Sequence, residues 1–132
     1  MSTLTYQSAG ILGEATGYLK TLERSLVKQS RFNNDLLYNI ISLCTEKLFV
    51  SLLASYGINA THHTPMALFN EAHKIKSLPE DFRTTVKLIN KFESICSFDA
   101  FGYKTPSNEE IQKMIAGLLQ IHQYVSTSVV EA

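Results

Sequence analysis

The sequence predicts an all-α protein folded as one packed helical bundle, and three observations carry that prediction. Residues Arg31 to Tyr56 read as one long helix that is apolar almost all the way round. Other segments before and after it repeat apolar residues at helical spacing, several with capping or turn residues at their ends. No alternating polar and apolar run bounded by turn residues occurs, so no sheet is expected. A helix that is apolar on two sides must be covered on two sides. That makes the long helix the central member of the bundle, or places it against a second copy of the chain.

The first helix spans about Gln7 to Lys28, with Ile11, Ala15, Tyr18, Leu22 and Leu26 at core spacing. Ala9, Gly13 and Gly17 form a ladder of small residues at i, i+4 and i+8. A helical Gly is about 1 kcal/mol less favourable than Ala. The ladder therefore marks either a second backbone crossing close by or a frayed or kinked helix. Gly10-x-x-Gly13 is not a phosphate loop, because no Gly-Lys-Ser/Thr follows and no strand precedes it. In the second helix Leu37, Ile41, Cys44, Leu48 and Leu52 form one stripe, and Leu36, Leu43 and Val50 a second, seven residues apart. Asn39 and Glu46 stand on one line between them. Gly57 suits the C′ position, and Ile58 to His63 is a polar loop.

Thr64 and Pro65 supply an N-cap and an N1 proline for a short third helix reaching about Lys76. Pro79-Glu80-Asp81 opens a fourth helix whose acidic first turn suits the helix dipole. Its buried stripe is Phe82, Val86, Ile89, Phe92 and Cys96. Phe98 to Ser107 is the longest irregular segment, mixing aromatic and polar residues. Ser107 with Glu110 is a capping box that starts the fifth helix. There Ile111, Met114 or Ile115, Leu118, Ile121 or His122, and Val125 recur, and residues from Ser126 on are expected to fray.

At 132 residues, 45% hydrophobic and 18% charged, the chain has the size and composition of a single soluble domain covering 1–132. Twelve basic and twelve acidic side chains cancel, and there is no dense Lys/Arg run, so nonspecific nucleic-acid binding is not expected. Cys44 and Cys96 fall on apolar helix faces without metal-type spacing. They read as buried reduced thiols of a reducing compartment, the cytoplasm. Met1-Ser2-Thr3 has no basic and apolar leader pattern, and Phe49 to Ala54 is far short of the roughly 20 apolar residues of a membrane span, so no membrane association is expected. The Asn59-Ala60-Thr61 sequon is read as chance without secretion.

No catalytic constellation is visible. His62 and His63 precede a helix, His73 lies in the third helix and His122 on the apolar side of the fifth, with no HExxH or CxxC, so neither a metal nor a cofactor is expected. His122 reads as a satisfied core residue and His63 as a loop or capping residue. No serine lies in a Gly-x-Ser-x-Gly elbow. Asn39 and Glu46 either look out through a solvent slot between helices or form a polar notch that hydrogen-bonds a ligand. Lys47, beside Leu43 and Ile40 around the helix, can pack its stem while its ammonium reaches an anion.

The long helix with Glu46-Lys47-Leu48-Phe49 and Leu52-Leu53-Ala54-Ser55-Tyr56-Gly57, then Thr61-His62-His63 opening a short helix, resembles the HEPN family of nucleotide-binding helical domains. The aromatic loop Phe98 to Tyr103, ahead of Pro106 and Glu109-Glu110, falls where such domains place a loop before the last helix. The resemblance spans roughly Asn33 to Val125. It implies an up-and-down four-helix bundle with an additional short helix, often dimeric. The function it implies is a noncatalytic module binding a nucleotide or related anionic small molecule. The alternative is a protein-interaction module, the toxin or antitoxin half of a pair with a nucleotidyltransferase-like partner. The family's ribonuclease branch carries Arg followed after four to six residues by His. Arg24, Arg31 and Arg83 lead to no such His, so cleavage is not carried over. Expected ligand-binding residues are Asn39, Glu46, Lys47, His63, Tyr103 and Lys104. Tyr103 would stack on a base and Lys104 meet phosphate, or else serve as a loop anchor and a solvated charge.

Overall fold

The structure, a computed structural model, describes residues 3–27, 33–93, 98–99, 102–103 and 105–131, with backbone alone at 3–6, 27, 93, 98–99, 102–103 and 131. The order is α1 (Thr3–Val27), α2 (Asn34–Ser55), α3 (Pro65–Ile75), α4 (Glu80–Glu93), β1 (Phe98–Asp99), β2 (Gly102–Tyr103) and α5 (Asn108–Glu131). The fold is all-helical apart from one minimal antiparallel pair, Phe98 opposite Tyr103 and Asp99 opposite Gly102. Sequence periodicity expected no sheet there, because two-residue strands are too short to show an alternation.

α2 is the centre of the molecule, flanked by α1, α5 and α3, while α4 packs on α3 and α5. Eleven of its 22 residues are buried. By length and composition α2 is also apolar enough to cross a membrane. Its burial among neighbouring helices accounts for that apolarity. α1 runs antiparallel to it: Ser8 meets Ser51, Glu14 meets Lys47 and Ala15 meets Cys44, one sequence number falling as the other rises. The Ser8 hydroxyl donates to the Ser51 carbonyl and the Ser51 hydroxyl to the Ser8 carbonyl, each at 2.7 Å, so two buried polar groups satisfy each other. At the other end of α2, the Tyr38 hydroxyl donates to the Ile89 carbonyl of α4 at 2.7 Å.

The caps follow local chemistry. The Asn33 side chain accepts from the Leu36 amide at 2.8 Å, which starts α2 a few residues after the expected Arg31. At the far end, Gly57 N–H reaches the Ala54 carbonyl and Ile58 N–H the Leu53 carbonyl, both at 2.9 Å. That is a Schellman motif, and it needs the φ of +81° that Gly57 adopts. The Ser107–Glu110 box closes in both directions, at 3.0 and 3.1 Å. Thr64 holds the cap position of α3 without a side-chain hydrogen bond, leaving Pro65 at N1 to set the helix start.

The expected core stripes of α2 and α5 are buried, as are Phe82, Val86, Ile89 and Phe92 of α4, whereas Cys96 lies outside the described residues. Three expectations change. In α1 the core stripe includes Leu19, while Ile11 and Tyr18 are half-buried and Leu26 is exposed, because the helix faces both α2 and α5. α5 does not fray at Ser126 but continues to Glu131, with Val125 buried and Val129 packed against the core. The small-residue ladder meets no second backbone: Ala9 is exposed and a Cβ at Gly13 or Gly17 would have nothing within 4 Å. The close helix crossing lies instead at Gly117, where a Cβ would stand 2.8 Å from that of Thr85 on α4. Among the described residues the second α2 stripe is covered in part, with Val50 packed against the core and Leu36 and Leu43 each 42% exposed.

Candidate functional site

The six expected residues divide into a group on and beside α2 and a group in the 98–104 segment. Glu46 and Lys47 sit in the C-terminal half of α2, where continuous helix turns the two side chains about 100° apart. Glu46 faces the loop before α3: its Oε1 lies 3.9 Å from Nδ1 of His63. Lys47 faces α1, and its ammonium is 3.2 Å from Oε2 of Glu14. Two separate contacts thus lie near the middle of α2, Glu46 with His63 and Lys47 with Glu14, and the His63 side chain is 86% exposed. Asn39 is exposed on the same line as Glu46 but two helical turns away, roughly 10 Å along the axis. Tyr103 is placed by its backbone in β2, and Lys104 lies outside the described residues. Asn39 is therefore exposed beside Leu36 and Leu43, while Glu46 on the same line is half-buried under the loop before α3.

An effective acid-base group is held in a shaped, water-poor setting, and His63 stands almost wholly in water at a distance beyond hydrogen bonding. The Glu14–Lys47 pair joins partly exposed side chains and is worth well under about 1 kcal/mol, so an anion can displace Glu14 from Lys47.

The remaining histidines are structural where they have partners. His73 accepts the Leu78 amide on Nδ1 at 3.0 Å and stacks on Phe69 with 5.4 Å between ring centroids. Thr16 commits its one hydroxyl proton to the Leu12 carbonyl at 2.9 Å, so His122 must donate from Nε2 in its 2.9 Å contact with Thr16. His122 has the partner expected of it, but it is half-buried at the edge of α5 and not in the core. Cys44 is buried, and burial pushes its thiol up to about 12. Among the described residues no group of three His, Cys, Asp or Glu could hold a metal ion.

Two recesses were not foreseen. One, of about 270 Å³, lies against α3 with Asn70, Glu71 and Lys74 and the loop residue His62. There Oε1 of Glu71 is buried without a hydrogen-bond partner. The larger, about 330 Å³, opens between Lys76 after α3, Phe82 of α4 and Gln123, Tyr124, Thr127 and Ser128 of α5. Behind it lies the Tyr56 hydroxyl, also buried and unpartnered. Burial, then the neighbouring Tyr124, raises the phenol to about 12. It stands close enough to Tyr124 and Ser128 for both to act on its ionisation, yet closes a well-formed hydrogen bond with neither. In the sequence Tyr56 marks only a helix end. The available signal was the polar i, i+1, i+4, i+5 set Gln123, Tyr124, Thr127 and Ser128 on α5. Comparison of the chain with protein-family models, with curated proteins and with solved structures finds no match to any of them.

Proposed function

We propose that the chain is a noncatalytic, HEPN-like up-and-down bundle that binds a nucleotide or related anionic small molecule beside Glu46, Lys47 and His63. The observation that supports this reading is the approach of His63 to Glu46, which brings the loop onto α2 one residue from Lys47. A phosphate group displaces Glu14 from the Lys47 ammonium, and His63 and Glu46 border it. The test is a thermal-shift series with nucleoside mono-, di- and triphosphates and plain phosphate. Saturating ligand at about a hundredfold over Kd adds about 2.7 kcal/mol, several degrees in melting temperature. Lys47→Ala removes the shift. An unchanged melting temperature with every nucleotide, confirmed by calorimetry, overturns the reading. So does RNA cleavage by the purified protein that His63→Ala abolishes, because it would make the module an enzyme.

A second reading is a protein-interaction module, in a homodimer or as the toxin or antitoxin half of a pair with a nucleotidyltransferase-like protein. The exposed Leu36 and Leu43 favour it, since two large apolar side chains on one helix face stand open to solvent. Spacing of seven about Leu43 lets a two-fold axis there place Leu36 opposite Val50 of an identical chain. Light scattering at micromolar concentration giving a dimer mass, lost with Leu43→Lys while the circular dichroism holds, supports self-association. A monomer mass for the unaltered chain removes it.

A further inference from the structure

We propose that the recess on the open face of α3 binds a small zwitterion, a free α-amino acid, at a site separate from the one beside Lys47. Its volume, about 270 Å³, falls just under the range of pockets that enclose drug-sized molecules, and so suits a smaller one. Ala67, Asn70, Glu71 and Lys74 stand at i, i+3, i+4 and i+7 and share one face of the helix, and His62 comes from the loop before it. Glu71 is the one carboxylate and Lys74 the one lysine among the described residues lining the recess.

The two charges do not satisfy each other. Residues three apart on a helix hold their Cβ atoms about 5–6 Å from one another, close enough for their side chains to pair. Yet among the described residues neither Glu71 nor Lys74 enters an ion pair. Glu71 is half-buried, and its Oε1 is enclosed without a hydrogen-bond partner. Oε2 is not enclosed, so a ligand in the recess meets the carboxylate there. A carboxylate only accepts hydrogen bonds, and one left without a donor becomes more unfavourable the more it is buried. A ligand ammonium supplies the missing donor in a charge-assisted bond. A plain amine would set that cation against Lys74, and a plain carboxylate would be repelled by Glu71. A molecule bearing both groups side by side places its ammonium on Glu71 and its carboxylate on Lys74, whose side chain leans back toward the turn that carries Asn70 and Glu71. Asn70 and His62 offer further hydrogen bonds from the walls.

The test is a nitrogen-edited NMR titration of the full chain with L-alanine, with propionate, which lacks its ammonium, and with ethylamine, which lacks its carboxylate. Saturable shifts are expected at Ala67, Asn70, Glu71 and Lys74, with alanine about three- to fivefold tighter than either fragment, the yield of one partly exposed ion pair. Glu71→Gln, close to the original in shape, weakens alanine and ethylamine and does not weaken propionate. Lys74→Met, at an exposed position, weakens alanine and propionate and does not weaken ethylamine. The Lys74 arm stands by itself if Glu71→Gln fails to fold by circular dichroism. Absence of saturable alanine shifts on α3 up to about 10 mM, where a millimolar Kd nears saturation, overturns the proposal. It is equally overturned by alanine binding no tighter than propionate or ethylamine, by shifts confined to Lys47 and its neighbours, or by a Lys74→Met chain that binds alanine undiminished.

Discussion

The same substitution, Gly to Ala, is expected to act with opposite signs at three helical positions of this chain. At Gly13 and Gly17 a Cβ would meet nothing within 4 Å. Removing the conformational freedom of an exposed helical Gly then stabilises by about 0.4–1 kcal/mol each. At Gly117 the added Cβ would overlap the Thr85 side chain and stand 2.8 Å from its Cβ, an atom whose place the α4 backbone sets. Rotating Thr85 cannot relieve that contact, so α4 and α5 must part. Overpacking of this kind costs about 1–3 kcal/mol, against the gain of up to about 1 kcal/mol in helix propensity. The net is a loss of about 0–3 kcal/mol, up to several degrees in melting temperature. Urea denaturation followed by far-UV circular dichroism measures all three variants on one scale. Thr85→Gly, which removes the opposing Cβ, should turn Gly117→Ala from harmful to helpful in a double-mutant cycle. If Gly117→Ala alone stabilises as Gly13→Ala does, the close α4–α5 crossing is wrong. If Gly13→Ala and Gly17→Ala destabilise, and more so at higher protein concentration, the ladder is packed against another chain.

Leu48 is fully buried on α2, and Leu48→Ala should cost about 2–5 kcal/mol by chemical denaturation; a loss near zero would remove it from the core. Glu110 has its carboxyl lowered, first by the hydrogen bond from the Ser107 backbone. Its contribution is therefore present above the unfolded value near about 4.3 and is lost as the pH falls through the lower folded value, so Glu110→Gln should flatten stability against pH on that acid limb. Burial raises the Cys44 thiol to about 12, so in a Cys96→Ser background a thiol reagent at neutral pH should label the folded chain no faster than it unfolds. Because that thiol is raised from 9.0, its neutral form stabilises the fold below about pH 9, and the contribution drains away as the pH climbs towards 12. Rapid stoichiometric labelling of the native protein would contradict both statements.

Local chemistry was legible in the sequence, and tertiary chemistry was not. The Ser107–Glu110 box, the Gly57 Schellman turn and the buried stripe of Leu37, Ile41, Cys44, Leu48 and Leu52 all depend on residues within a few positions of one another. Spacing alone therefore specifies them. The central place of α2 follows as well, because a helix apolar on two sides has few other homes. Which side remains open was decided only by packing: α1, α5 and α3 cover one stripe and leave Leu36 and Leu43 at 42% exposure. The meeting of Glu46 with His63, seventeen positions apart, depends on how the loop returns to the helix. The cleft is the clearest case. Its lining residues Lys76, Phe82 and Ser128 come from the end of α3, from α4 and from α5, and no periodicity in one dimension encodes that they meet. Helical propensity and capping are summed over neighbours along the chain, whereas cavities and orphaned polar groups are what remains after helices of fixed shape are packed together.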